Sequence, residues 1–214
     1  MSDAASNEAA DARHARLFVA LDPPQRILGA IGSWQEAQAV RAEGTVGGER
    51  RLRAVAPQSL HVTLVFLGDR PLTAIDAVAE ALAGLSAGPV EATLLPEPIP
   101  VPRRHPRLLA FGVESPGAVR LEAELSRRLT EIGLHRPEER RFWPHLTAFR
   151  VGRRRRPPGS RTAIPRVEPI AVEGGHAFGF VRVALYRSDL RPEGASYSRL
   201  AANELPQPGG RQKR

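Results

Sequence analysis

An α+β protein of two similar lobes is the fold this sequence predicts, and three observations carry it. Short apolar runs of strand character alternate with segments of helical spacing. The order strand, helix, strand, helix, strand is followed by a second, looser version of itself. The pattern His-apolar-Thr-small or apolar is written twice, "HVTL" at residues 61–64 and "HLTA" at residues 145–148, each inside a strand-like run. A parallel doubly wound sheet is disfavoured by this order, and the lack of a short repeat period excludes a solenoid.

The elements follow in order. "RLFVAL" (16–21) reads as a strand, with Asp22 as N-cap and Pro23 at the first position of a helix whose Ile27, Leu28, Ile31 and Trp34 share a face. "AEGTVGGERR" (42–51) breaks that pattern as a loop does. "LHVTLVFLGD" (60–69) is the clearest strand, ended by Gly68 and Asp69, and Leu72, Ile75, Ala79, Leu82 and Leu85 then keep helical spacing. A shorter strand at 90–95 leads into "PEPIPVPRRHP" (96–106), too rich in proline for regular structure and therefore the expected lobe boundary. "RLLAFGV" (107–113) predicts a strand. Ser115 and Pro116 then start a helix with the apolar stripe Ala118, Leu121, Leu125, Leu129 and Ile132. Beyond "RFWPHLTAFRVG" (141–152) lie an arginine and proline loop and expected strands at 167–172, 178–186 and 196–202. Residues 1–15 and 206–214 read as frayed tails around a single bilobal domain at 16–205.

Composition limits the function. The chain is 42% hydrophobic and 25% charged, ordinary for a globular protein. Without cysteine it has no disulfide, thiolate zinc site or cysteine nucleophile. Neither a membrane-crossing run nor an apolar signal segment is present, which makes a cytoplasmic protein without membrane attachment the expectation. A formal charge of +8 favours phosphate and RNA as partners. The run Arg153, Arg154, Arg155 and Arg156 is either a grip on a nucleic-acid backbone or a solvated loop.

Strand alternation gives the motif its chemistry. His61 and Thr63 share one face while Val62, Leu64 and Phe66 take the other, toward the core; His145 and Thr147 likewise oppose Leu146 and Ala148. Each motif thus presents an imidazole and a hydroxyl about 6 to 7 Å apart along the backbone. Facing each other across a cleft, the two pairs would converge on one small anion. An imidazole titrates near pH 6.5, so one ring can accept a proton while its partner donates one. Phosphodiester hydrolysis needs both, and the threonine hydroxyls suit the charge that builds on the non-bridging oxygens. No carboxylate or second histidine stands at metal-ligand spacing near either ring, so no metal or other cofactor is expected. A lone HxT in a strand is more often a core histidine; the recurrence in matching contexts, "SLHVTLVFLG" and "WPHLTAFRVG", raises it above that reading. His14, His105, His135 and His176 sit in expected tail, loop or turn positions.

These motifs resemble those of the two-histidine phosphoesterases, specifically the RNA 2′,3′-cyclic phosphodiesterases also called 2′-5′ RNA ligases. "RLFVALDPP" resembles that family's opening strand, "RAVAPQSLHVTLVFLGD" and "RRFWPHLTAFR" its two motifs, and "YRSDLRPEGASYSRL" its closing strands, so the resemblance runs over residues 16–205. It implies two pseudo-two-fold-related lobes with antiparallel sheets around a central cleft, and turnover without a metal. It also implies His61 as proton donor to the leaving ribose oxygen, His145 as the base acting on water, and Thr63 and Thr147 on the phosphate. Hydrolysis would leave a 2′-phosphate, and the same groups run in reverse would join 2′-5′ ends. Implied partners are RNAs with a cyclic end, such as tRNA fragments, bound to a monomer. Arg150 holds the place of a family arginine, yet strict alternation puts it opposite His145 unless the strand bulges. Phe142 either stacks on a nucleobase or covers the lobe edge. Arg53 is expected to face the cleft, and Tyr197 to pack. The alternatives are a basic RNA-binding module without turnover, or a related cyclic-nucleotide or 2′-5′ oligonucleotide phosphodiesterase.

Overall fold

The computed structural model describes residues 14–43, 52–85, 87–152, 167–191 and 194–208. In chain order these form β1 (His14–Asp22), α1 (Gln25–Glu43), β2 (Leu52–Ala54), a 3-10 turn (Pro57–Ser59), β3 (Val62–Pro71), α2 (Ala74–Ala83), β4 (Glu91–Val101), β5 (Leu108–Glu114), α3 (Pro116–Glu131), β6 (His145–Val151), β7 (Ala177–Gly179), β8 (Arg182–Arg191) and β9 (Gly194–Glu204). The arginine run at 153–156 lies outside the described residues, as do 1–13 and 209–214 of the expected tails. Among the described residues no helix is long and apolar enough to cross a membrane.

Two antiparallel sheets result, one ordered β3-β1-β8-β9 and one ordered β2-β6-β5-β4-β7. They correspond strand for strand, β3 to β6, β1 to β5, β8 to β4 and β9 to β7, with β2 as an extra edge on the second. The α+β, two-lobed expectation holds, but the lobes are interleaved along the chain rather than consecutive: the first and last strands share one sheet, and α1 follows a strand of the first sheet yet packs on β6 of the second.

One hydrophobic core runs through both lobes. Leu17, Val19 and Leu21 of β1 face it, with Val78 and Leu82 of α2 and Leu121, Leu125 and Leu129 of α3. The helix starting at Ser115 is as expected: the Ser115 hydroxyl accepts from the Ala118 amide at 3.1 Å, and Pro116 takes the first turn, where a missing amide proton costs nothing. Its Ile132 is exposed, as is Leu72 before α2, where the buried stripe is Ala74, Val78 and Leu82.

Four expectations fail for physical reasons. The proline-rich stretch is not a boundary: residues 96–101 belong to β4, paired with β5 through Pro98↔Phe111 and Pro100↔Leu109, and 102–106 form the turn between these two strands of one sheet. The other side of β4 meets β7 at Glu91, Ala92 and Thr93 and then takes two single bonds, Leu94 N to His176 O and Ile170 N to Pro96 O; Pro96 serves there as acceptor, so its missing amide proton costs nothing. Residues 167–172 form no strand. The expected strand at 178–186 is two, split at Phe180 and Val181, where the chain leaves one sheet for the other. Asp22 does not cap α1; its carboxylate turns to β8, where it accepts the Tyr186 hydroxyl at 2.7 Å and lies 3.4 Å from Arg182.

Candidate active site

His61 precedes β3 and His145 begins β6, the corresponding strands of the two sheets, which pack directly against each other. The rings are held alike. His145 Nδ1 lies 2.9 Å from the carbonyl of Trp143, two residues upstream. His61 is bonded to the backbone of Ser59, again two residues upstream, in a bond that favours the charged ring and so is donated by it. With Nδ1–H committed, the neutral His145 ring turns Nε2, with its free lone pair, away from its own backbone, and the bond to Ser59 likewise leaves the neutral His61 ring one nitrogen with a free lone pair.

Strict alternation breaks at the same place in both strands. On β3, Val19 pairs with Val65 and Ala20 with Thr63, which leaves Leu64 unpaired; on β6, Leu109 pairs with Phe149 and Ala110 with Thr147, which leaves Ala148 unpaired. A bulge one residue past each threonine turns the next residues over, so His61, Thr63 and Phe66 share a face, and so do His145, Thr147 and Arg150. Phe66, expected in the core, is therefore 45% exposed. The bulge also removes the objection to Arg150. The bulged residue's carbonyl is held from outside the sheet: Ala148 O accepts the Val55 amide at 2.9 Å and Gln35 Nε2 of α1 at 2.6 Å.

The two faces enclose a cavity of about 430 Å3. His61, Thr63, His145, Thr147, Arg150 and Arg53 all line it, and Arg53 sits directly opposite Arg150 across the β2–β6 ladder. Phe142 does not line it and packs against the core, the lobe-edge alternative. Tyr197 reaches the cavity wall with its ring edge-on to His61 at 5.2 Å and to Phe18 at 5.1 Å. Sequence reasoning missed three residues. Phe18 stacks on His61 at 4.8 Å, Arg16 lies 4.8 Å over the ring of Phe66, and Trp143 stacks on His145 at 4.4 Å. The cleft position of Phe66 has a sequence signal: it stands three past Thr63 as Arg150 stands three past Thr147. The Arg16–Phe66 pair is a cation–π contact whose exposed ring offers a stacking surface to a base.

The lining contains, among the described residues, three arginines, two imidazoles and no carboxylate, which makes it a site for an anion. Among the described residues no three His, Asp or Glu side chains come together as a metal site would require. Burial is the main reason that both rings resist protonation. It takes His61 down to about 4, helped by the charges of Arg150 and His145 and opposed by the Ser59 bond. His145 is lowered by burial too, against the bond to Trp143. That the charges of Arg150 and His145 reach His61 agrees with their shared place in the cavity wall. Two neutral acceptors therefore await an anion that can bring or stabilise a proton.

Comparison with known proteins places the chain in a family. Residues 32–94 match the sequence profile of the family described as LigT like phosphoesterase. An RNA 2′,3′-cyclic phosphodiesterase of Thermus thermophilus is 31% identical over 206 residues, covering 92% of this chain and 94% of that one. Another, of Archaeoglobus fulgidus, is 28% identical over 199 residues, covering 88% and 99%. Among solved structures, TT0787 of Thermus thermophilus superposes with a TM-score of 0.67 at 28% identity, over 90% of this chain and 99% of that one. Escherichia coli LigT complexed with 3′-AMP has the same fold, with a TM-score of 0.68 at 23% identity over 91% and 99%. Paired sheets around a His–Thr cleft define a two-lobed phosphoesterase. The chain belongs to the LigT-like phosphoesterase family that includes these RNA 2′,3′-cyclic phosphodiesterases, and it is an enzyme, a cyclic phosphodiesterase.

Proposed function

We propose that the enzyme opens the 2′,3′-cyclic phosphate at the end of an RNA to a terminal 2′-phosphate, by general acid and base catalysis without a metal. The cyclic phosphate sits between the strands β3 and β6. Thr63 and Thr147 donate hydrogen bonds to its non-bridging oxygens, and Arg150 with Arg53 balances the negative charge. His145 Nε2 takes a proton from water as its oxygen bonds to phosphorus. His61, protonated in the complex on the nitrogen not held by Ser59, gives that proton to O3′ as the P–O3′ bond breaks. One water is consumed, and solvent returns each ring to its starting state. The terminal base lies on the exposed Phe66 ring beside Arg16. If the 5′-hydroxyl of a second RNA replaces water, the same groups form a 2′-5′ linkage.

The observation that supports this best is the meeting of both imidazoles, both threonines and Arg150 in one cavity, with no carboxylate among its described lining residues. A module that only gripped phosphate would do so better with arginine than with two imidazoles that burial keeps neutral. The reading is completed by a monomer working on RNA fragments, tRNA halves among them, in the cytoplasm. The test is an oligonucleotide with a cyclic end incubated with and without chelator, its product mapped for phosphate position. A 2′-phosphate formed equally in both, and lost in His61→Ala and in His145→Ala proteins that still fold, is the expected result. A 3′-phosphate, chelator sensitivity or near-normal rates in either variant refutes it.

A further inference from the structure

The face of the four-stranded sheet that carries Phe18 continues beyond the reacting cavity. On β1 the alternate residues Arg16, Phe18, Ala20 and Asp22 share it, a run of about 20 Å at ~3.3 Å per residue. Their partners on β8 extend it, with Tyr186 opposite Phe18 and Arg182 opposite Asp22. His61, stacked on Phe18, and Tyr197 stand across the middle. The Arg16 end belongs to the cleft, and at the Asp22 end a second cavity of about 350 Å3 opens. His61 and Tyr197 line both, so the two cavities are neighbours through one aromatic wall.

The second cavity has apolar surfaces at Pro23, Pro24, Pro57 and Tyr197 and a charged end. There the Asp22 carboxylate is engaged by the Tyr186 hydroxyl and Arg182, and Arg182 also approaches Glu204 at 3.5 Å. Arg199, opposite Tyr186 on β9 and exposed, adds a positive charge at this end. Flat walls beside a guanidinium match a base and a phosphate.

The in-line course of the reaction gives the direction. As P–O3′ breaks, O3′ departs toward the proton donor, which puts the terminal ribose on the His61 side of phosphorus. The strand attached to its 5′ oxygen therefore leaves past His61 and Tyr197, toward the second cavity. We propose that this cavity holds the nucleotide preceding the cyclic end, its phosphate on Arg199 and its base against Tyr197 and the proline wall, an assignment that rests on the donor role given to His61 above. The enzyme consequently selects a polynucleotide end over a free cyclic mononucleotide.

Three compounds test this with the full-length protein: adenosine 2′,3′-cyclic phosphate, the same with a 5′-phosphate, and the dinucleotide ApA ending in a cyclic phosphate. In the wild type, kcat/KM is expected to rise along that series, by roughly tenfold or more between the first and last, as a charge-assisted phosphate contact would give. Arg199→Ala should bring all three within about threefold of one another while Arg199→Lys keeps most of the preference, since the charge on the phosphate is what counts. Equal kcat/KM for the three compounds in the wild type overturns the inference alone. So does an Arg199→Ala protein in which the mononucleotide slows as much as the dinucleotide. If the wild type opens none of them, the phosphodiesterase reading itself falls and this subsite with it.

Discussion

A bound phosphate should restore to His61 the proton that the free enzyme withholds. With burial, Arg150 and His145 holding its ring down to about 4, roughly one His61 in a thousand is protonated at pH 7. A phosphate monoanion about 4 Å from the ring is worth ~4 kcal/mol at an effective dielectric near 20, or ~3 pKa units at ~1.4 kcal/mol each. That returns His61 to near neutrality, and by pairing with Arg150 the anion also offsets one of the charges that depressed it. The assay is an NMR titration of labelled imidazoles, with His61→Gln for assignment, alone and with inorganic phosphate. The kinetic counterpart follows from the same shifts: kcat/KM reports the free enzyme and should peak acid of 6.5, because both rings are lowered there. The kcat profile reports the complex and should lie about one to three units more alkaline. A free His61 titrating above 6, a ring unmoved by phosphate, or coincident profiles would refute the reasoning.

The same depression makes the fold acid-sensitive. His61 is held neutral in the folded state, so its contribution is present above its unfolded value of 6.5 and is lost as pH falls toward about 4; at most ~3 kcal/mol is at stake. Thermal melts between pH 7 and 4.5 should show the wild type losing stability faster than His61→Ala. Replacing the buried Gln35 by Leu takes a donor from Ala148 O at the β6 bulge, which should cost about 1 to 3 kcal/mol. Denaturant melts measure that cost, and kcat/KM should fall toward the level of Arg150→Ala if the bulge aims that arginine. Gly112 lies opposite His145, and a Cβ there would stand 3.0 Å from Leu95 Cδ1 and 3.7 Å from Trp143 Nε1. Gly112→Val should therefore lose more activity than the exposed-site variant Val119→Ala, with a melting shift equivalent to ~1 to 3 kcal/mol of overpacking.

Much of the site is legible in the sequence because strand alternation is local. His61 and Thr63, or His145 and Thr147, two residues apart in a strand, must share a face wherever the strand lies. What alternation cannot supply is the bulge, because the slip depends on partners far along the chain: Ala20 of β1 for one motif, Ala110 of β5 and Gln35 of α1 for the other. Uninterrupted alternation sends Phe66 to the core and Arg150 to the wrong face for this one reason. Proline misleads likewise. "PEPIPVP" would break a strand paired all along both sides, but β4 is paired on its second side over only part of its length, with Pro96 as an acceptor there, and that is a property of the sheet, not of the segment. Asp22 stands before Pro23 with every local mark of a cap; Tyr186 and Arg182, about 160 positions away, claim its carboxylate first.

The shared slip also shows where the two halves part. In each, the bulge brings a third residue, three past the threonine, onto the face of the imidazole and hydroxyl, and this residue is Phe66 in one half and Arg150 in the other. Two equal halves would bind a phosphate without preferring either direction of attack. In the proposed reaction an aromatic ring on the His61 side and a guanidinium on the His145 side would break that equality, base and ribose going where Phe18, Phe66 and Tyr197 gather and the opposite side being left to water. On that proposal the polarity of the reaction would be set by two residues outside the repeated motif. Exchanging them, as Phe66→Arg with Arg150→Phe, should lower kcat/KM for a cyclic-phosphate dinucleotide far more than it weakens the binding of inorganic phosphate, because the anion site survives and the orientation does not.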